Sequence, residues 1–499
     1  MKKILLYTLS CALIISSCDG FLDVKPTNQA EAKSSVGTVA DAQVMMNGIM
    51  RNFVSGSSYY GLYMFLYADA KGGDYCVGGR GRGYDGLYVF SQTPQSGSLS
   101  GMWNQIYYCL ALINNLVTNI DIMNEAGKGS ADLNHIKAQA LTARALCYFN
   151  LVRLYGKPYS MDKNALGVPL VLKVLDASAQ PTRATVGEVY NQIVADLSAA
   201  VPLFKKAQRD NGYINYFACI AIQAKVHLEM QNYPSALAAA EEIITTGTAY
   251  TLYTNANWLT SWSRQYQSES IFELTILPTE ADGGRGGSIG STICYDKKAP
   301  AATSWNYYIA SDTFLTRLNE DPDDIRLGLM DFDEKSEPGA MDYTPGRKGC
   351  CYKYLGGVSL PGDGKSTITA VNVKVIRLSE IYLIAAEAAL LSQNKAKAAT
   401  YLQAIRKRSP NLAPATEANV TLKMIQDERS KELFGEGHRF FDMMRWNETI
   451  VYSSDYRSQS PVTTRPASID RTYFKAVLPI DIGEINANPA IASQQNPGY

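Results

Sequence analysis

Six acidic residues crowd one stretch of this sequence: Asp321, Asp323, Asp324, Asp331, Asp333 and Glu334. Paired carboxylates hydrolyse glycosidic bonds when they oppose each other at ~5 to 9.5 Å across a cleft. Pro322 interrupts the stretch, however, and a loop stabilised by ion pairs is the reading that fits it. The three histidines, His135, His227 and His438, form no zinc-like pair. No Gly-x-Ser-x-Gly elbow is present, and residues 321–334 lack the glycine and ligand order of an EF-hand. The run Gly78-Gly79-Arg80-Gly81-Arg82-Gly83 lacks the Gly-Lys-Ser/Thr ending of a phosphate-binding loop. Catalysis, a metal and a cofactor are therefore not expected.

Recognition chemistry is better supplied. A first glycine-rich stretch offers Asp74, Arg80, Arg82, Tyr84 and Tyr88; a second offers Tyr295, Trp305, Tyr307 and Tyr308. Tyrosine is abundant, at 32 residues against 5 Trp and 14 Phe, and its apolar ring with a hydroxyl handle suits a recognition surface. Most of these tyrosines are nevertheless expected between helices, with their hydroxyls at the boundary. Trp103 opens an apolar helix and is assigned to the core.

These candidates must be held by helices, because apolar residues recur at three- and four-residue intervals over most of the chain. The pattern predicts helices over Ala40–Phe53, Met102–Met123, Leu133–Leu154, Val186–Phe204, Tyr216–Met230, Ser235–Ile244, Val375–Leu391, Ala396–Ile405 and Thr421–Phe434. Ala224, Ala236 and Ala240 stand where two antiparallel helices would press together around a turn at Gln231–Pro234, as in a tetratricopeptide hairpin. Ile381–Ile405 reads the same way around Ser392–Lys395, but no fixed period joins the two units. The expected fold is predominantly α, with tetratricopeptide-like hairpins forming a scaffold interrupted by long irregular loops. Those loops, Tyr67–Gly101, Gly283–Ser311 and Pro338–Ser366, are where function is expected.

The N-terminus carries separate chemistry. Lys2 and Lys3, the apolar run Ile4–Ile15 and the small pair Ser16-Ser17 form a secretory signal, too short for the ~20 apolar residues of a spanning helix. Ile15-Ser16-Ser17-Cys18 resembles a bacterial lipobox, in which the Cys18 thiol receives diacylglycerol and becomes the mature N-terminus. Formal charge over the whole chain is zero, and no basic field suggests nucleic acid. Of nine cysteines, Cys11 and Cys18 belong to the export segment. The other seven have no regular spacing, and Cys350-Cys351 are read as two free thiols.

Four segments then resemble one family in order. Leu133–Gly156, with Ala143, Arg144, Ala145, Tyr148, Phe149, Arg153, Tyr155 and Gly156, resembles the marker helix of SusD/RagB outer-membrane nutrient-binding lipoproteins. Ile425–Trp446 matches through Glu428-Arg429, Glu432-Leu433, Gly435-Glu436-Gly437, Arg439 and Asp442. The C-terminal match runs from Leu478 to Tyr499 and includes Glu484-Ile485, Asn488-Pro489 and Gln495–Tyr499; the start around Cys18, Phe21-Leu22-Asp23 and Pro26 is also similar. The bottom-up reading of the helical charges is scaffold: Arg144 and Arg153 in ion pairs across helices, Glu428–Arg439 as a solvated or paired face.

The resemblance implies residues 1–17 as signal peptide, 18–37 as lipidated tether and 38–499 as one body, with a helical part over 38–250 and a loop-rich part over 251–499. It implies a surface-facing, lipid-anchored protein that captures an oligosaccharide or polysaccharide for a TonB-dependent, SusC-like transporter. A smaller RagB-like branch binds peptides, and tyrosines with arginines would serve either ligand.

Overall fold

Thr38 sets the start of the first helix, since its hydroxyl accepts from the Asp41 N–H while the Asp41 carboxylate accepts from the Thr38 N–H. The computed structural model describes residues 36–77, 85–176, 178–206, 209–280, 287–294, 307–331, 348–354, 370–452 and 462–499. Helices of seven or more residues are numbered α1 Val39–Phe53, α2 Tyr63–Lys71, α3 Gly97–Glu125, α4 Ala131–Tyr155, α5 Val186–Ala200, α6 Tyr216–Glu229 and α7 Tyr233–Thr246. They continue as α8 Asp312–Leu318, α9 Leu378–Leu391, α10 Lys395–Arg406, α11 Leu422–Glu432 and α12 Arg439–Trp446.

Neighbours pack in succession: α1 on α3, α3 on α4, α4 on α5, then α6 on α7, α7 on α9 and α9 on α10. The two predicted hairpins are thus α6/α7 and α9/α10, and they stack on each other despite the long insertion between them. Ala224, Ala236 and Ala240 are fully buried at the helix contacts, as their small size anticipates. Both hairpins also use the same turn. Gln231 (φ 57°) and Gln393 (φ 64°) adopt the left-handed conformation, and the following Asn232 and Asn394 cap the second helix through side-chain oxygens.

One helix begins later than its apolar pattern predicts. Val373–Arg377 is a strand, β4, paired antiparallel with β2 Ser270–Leu274, and only from Leu378 does the chain turn helical. Val373 and Val375 are β-branched and the strand is buried throughout, so the apolar run continues into α9 without a visible break. Two further two-stranded sheets are β1 Tyr75–Val77 with β3 Tyr308–Ala310, and β5 Ile450–Val451 with β6 Ser468–Ile469.

The charges of the motif helices α11 and α12 are paired, and all but the exposed Lys423 are buried or partly buried. Glu432 accepts from Arg326, Arg377 and Arg408 at 3.2–3.4 Å. Arg377 also grips Glu436 at 2.7 Å and Glu269 at 2.8 Å. Arg326 also pairs with Asp324 at 2.7 Å and Glu428 at 2.6 Å, so the acidic stretch at 321–326 is a loop held by ions. Asp442 bridges Arg429 and Arg445, and Arg445 also pairs with Glu387. Gly435 and Gly437, both with positive φ, allow the turn between these helices; a Cβ there would sit 2.9 Å from the Tyr75 hydroxyl and 2.9 Å from Phe65 respectively.

The marker helix α4 follows its expected role in part. Arg144 forms a bidentate ion pair with Asp196 of α5 at 2.6 and 2.8 Å. Arg153 departs from expectation: its guanidinium is sandwiched 4.0 Å from the Phe149 ring and 4.2 Å from the Phe441 ring, and donates to Asn150. It binds by cation–π contact rather than by an ion pair. Trp103 is buried and donates its indole N–H to Glu484 of the C-terminal motif at 3.0 Å.

Candidate functional site

The two loops chosen from sequence share a base. Strand β1 pairs with β3 so that Val77 stands opposite Tyr308 and Tyr75 opposite Ala310. In an antiparallel pair, the end of one strand lies beside the beginning of the other. The segment 78–84 therefore departs from the same end of the ladder at which the segment 295–306 returns. A third segment joins them, because Gly349 accepts from the Ala310 N–H at 2.9 Å and Cys351 forms an isolated bridge with Cys294.

The ladder is fixed to the helical body by charge. Asp74, immediately before β1, is 4% exposed; its carboxylate contacts Arg317 of α8 at 2.9 Å and Arg439 of α12 at 3.2 Å, and accepts from the Ser430 hydroxyl of α11 at 2.6 Å. Burial alone would raise the Asp74 carboxyl, but Arg439 and Arg317 outweigh it and hold it below the usual carboxylate range. Ser311, which caps α8, donates its N–H to the Asp74 carbonyl at 2.8 Å and its hydroxyl to the Gly73 carbonyl at 2.9 Å. Nearby Asp69 lies beyond reach of such a pair, and burial pushes its carboxyl well above the usual range despite the Gly437 N–H at 2.9 Å.

This geometry places four of the residues offered for recognition inside the body and sets the others apart. Asp74 is a joint between strand and helices, not a surface group. Tyr307 and Tyr308 are buried, the latter completely, with rings 6.1 Å apart beside the ladder. Tyr88 is buried too, under the Arg465 guanidinium at 4.7 Å. The reason is common to all four: they stand at the bases of the loops, where side chains fill the body. Arg80, Arg82, Tyr84, Tyr295 and Trp305 lie outside the described residues, as does Cys18.

The tryptophans sharpen the choice among these. Trp103, Trp258 and Trp262 are buried, and Trp446 is half-buried with its indole N–H on Glu387 at 2.8 Å. Of the five in the chain, these four are structural and Trp305 lies outside the described residues. Sequence reading missed Ser311, Arg317, Ser430 and Arg439 as the groups that fix the ladder. The Ser311-Asp312 pair ahead of an apolar helical run is the helix-start signal that points to the first of them.

The SusD family model matches residues 332–499, and a model described as starch-binding, associating with outer membrane, matches residues 20–228. The crystal structure of a SusD superfamily protein from Bacteroides thetaiotaomicron VPI-5482 is 34% identical, with a TM-score of 0.83 over 92% of this chain and 100% of that one. A SusD-like protein of Formosa agariphila is 25% identical, spanning 97% of both chains. A laminarin-binding SusD-like protein is 26% identical, with a TM-score of 0.66 over 92% of this chain and 99% of that one.

Proposed function

Because this chain belongs to the SusD superfamily, we propose that it is a nutrient-binding lipoprotein that captures oligosaccharides or polysaccharides and passes them to a TonB-dependent, SusC-like transporter in the outer membrane. The observation that carries the reading is the pairing of β1 with β3, which sets the bases of the arginine-rich and the tryptophan-bearing segments side by side. An aromatic ring stacks on the C–H face of a sugar while guanidinium and hydroxyl groups bond its hydroxyls, a division ordinary ligand sites also use. On this reading Trp305, Tyr295 and Tyr84 supply the stacking faces, and Arg80 and Arg82 the polar contacts. The laminarin-binding relative supports a glycan as the ligand class.

Cys18 is the lipid anchor in this proposal, holding the body at the outer face of the membrane beside its transporter. The outer-membrane description of the N-terminal family model supports that placement. No bond of the ligand is made or broken, so the site needs affinity and a route of release rather than a nucleophile. Binding of the purified body to laminarin, starch and a panel of other polysaccharides, with a mixed peptide digest as comparator, tests the proposal. Retention of peptides with no retention of any glycan overturns it in favour of the peptide-binding branch.

A further inference from the structure

We propose that Cys294 and Cys351 form an intramolecular disulfide in the exported protein, cross-linking the base of segment 295–306 to the segment 348–354. The two residues are partners in an isolated parallel β-bridge and both are fully buried. Paired strand positions lie ~4.7–4.9 Å apart, inside the 4.4–6.8 Å Cα window that a disulfide spans. Side chains of bridge partners leave the same face, so each thiol faces the other. Cys350 is one residue out of phase and projects from the opposite face, which explains why Cys351 and not its neighbour is paired with Cys294.

The surroundings suit the oxidised form. Tyr354 donates its N–H to the Cys294 sulfur at 3.2 Å, an acceptor role that a disulfide sulfur also fills. Burial raises the Cys294 thiol well above its ordinary value. Burial also acts to raise Cys351, but contact with Cys294 and with Lys353 outweighs it and leaves that thiol lowered, making Cys351 the more readily ionised partner. The oxidant is a disulfide, such as a small-molecule disulfide or an exported disulfide carrier. The Cys351 thiolate attacks one of its sulfurs and expels the first thiolate. The Cys294 thiolate then attacks Cys351 in the mixed disulfide, closing the Cys294–Cys351 bond and expelling the second. The oxidant leaves as two thiols carrying the two cysteine protons. Disulfides persist in exported proteins, and export is all that this inference takes from the proposed function.

The consequence is mechanical. Segment 295–306 is already closed at its base by the hydrogen bond from the Tyr307 N–H to the Thr292 carbonyl at 2.9 Å. The cross-link adds the chain at 348–354, which stands beside β3, so that two of the three loop bases are joined covalently while the third, at Val77, is held to them by the β1–β3 ladder. Full-length protein is isolated from membranes in iodoacetamide, digested without reduction and mapped by mass spectrometry. A Cys294–Cys351 peptide pair, two hydrogens lighter than its parts, is expected in wild type and in Cys350→Ser, and none in Cys351→Ser. Protein purified reduced and then treated with glutathione disulfide should lose the same two thiols together, and reductant should lower the Tm of wild type but not of the Cys294→Ser/Cys351→Ser double variant. Alkylation of all seven body cysteines in both preparations, or a link of Cys294 to Cys350 instead, overturns the proposal.

Discussion

Replacing Glu432 by Gln removes one charge from the centre of the molecule without changing its volume. Arg326, Lys353, Arg377, Arg408 and Lys431 are buried there against Asp324, Glu269, Glu428, Glu432 and Glu436. Five cations meet five carboxylates, and Arg406 touches Glu428 only from the rim. The substitution therefore leaves a buried excess of one positive charge, shared among Arg326, Arg377 and Arg408. Breaking a buried ion pair from one side costs about 3–5 kcal/mol, because the remaining charge stays desolvated. Unfolding entropy of ~2.1 cal/mol/K per residue over roughly 460 residues is about 1 kcal/mol/K, so Tm should fall by about 3–5 °C. Differential scanning calorimetry of Glu432→Gln, Arg408→Gln and the double variant reads both the fall and the coupling. The double variant should lose less than the sum of the two single variants, since removing Arg408 restores neutrality. A Tm for Glu432→Gln within 1 °C of wild type at pH 7, or strict additivity, would show that this carboxylate does not balance the arginines.

Trp305→Ala should weaken glycan binding by about 2 kcal/mol, a roughly 30-fold rise in Kd by isothermal calorimetry, with Tm unchanged. Tyr308→Ala should instead cost about 3–5 kcal/mol of stability, as a truncated buried aromatic does; a binding loss with no Tm change would return Tyr308 to the ligand surface. Cys18→Ala should move the protein from the membrane fraction to the soluble fraction, and an unchanged distribution would remove the anchor. Acid should destabilise the fold: burial raises the carboxyls of Asp324, Asp442, Glu432 and Glu436, but the facing arginines, with Lys353 at the two glutamates, outweigh it and leave all four lowered. Their stabilisation is complete above the unfolded pKa of about 4 and is lost as pH falls through the lower folded values. Asp69, raised by burial, works with the opposite sign, favouring the fold at low pH and opposing it as pH rises above about 4. Tm measured from pH 6 to pH 3 should decline overall, and a flat profile would contradict the paired core.

The helices were legible because a 3.6-residue apolar period over ten or more residues has few other causes, and the small residues at Ala224, Ala236 and Ala240 marked a real contact. The strands were hidden for the same reason turned around. β1 and β3 are three residues each, too short to display alternation, so a loop read from the sequence runs wide enough to include Asp74, Tyr88, Tyr307 and Tyr308. The charges of α11 were visible but their burial was not, since Glu269, Arg326, Arg377 and Arg408 come from distant parts of the chain. The Arg153 contact was partly within reach: Phe149 stands four residues before it on the same helix face, while its second ring, Phe441, belongs to α12.

Burying so many charges is a poor way to gain stability, since apolar residues of similar volume often do as well or better. Their geometry suggests what is gained instead. Arg439 of α12, Ser430 of α11 and Arg317 of α8 all converge on one carboxylate, Asp74, and Asp74 is the last residue before the ladder from which the candidate binding segments depart. Apolar packing would tolerate a shift of β1 along its groove. A carboxylate held by two guanidiniums and a hydroxyl does not, because displacement leaves buried charges unpaired. Fixing the loop bases lowers the ordering that a ligand must impose when it binds. On the proposed reading, the motif that identifies the family touches no ligand; it acts through Asp74, by setting where the variable segments begin.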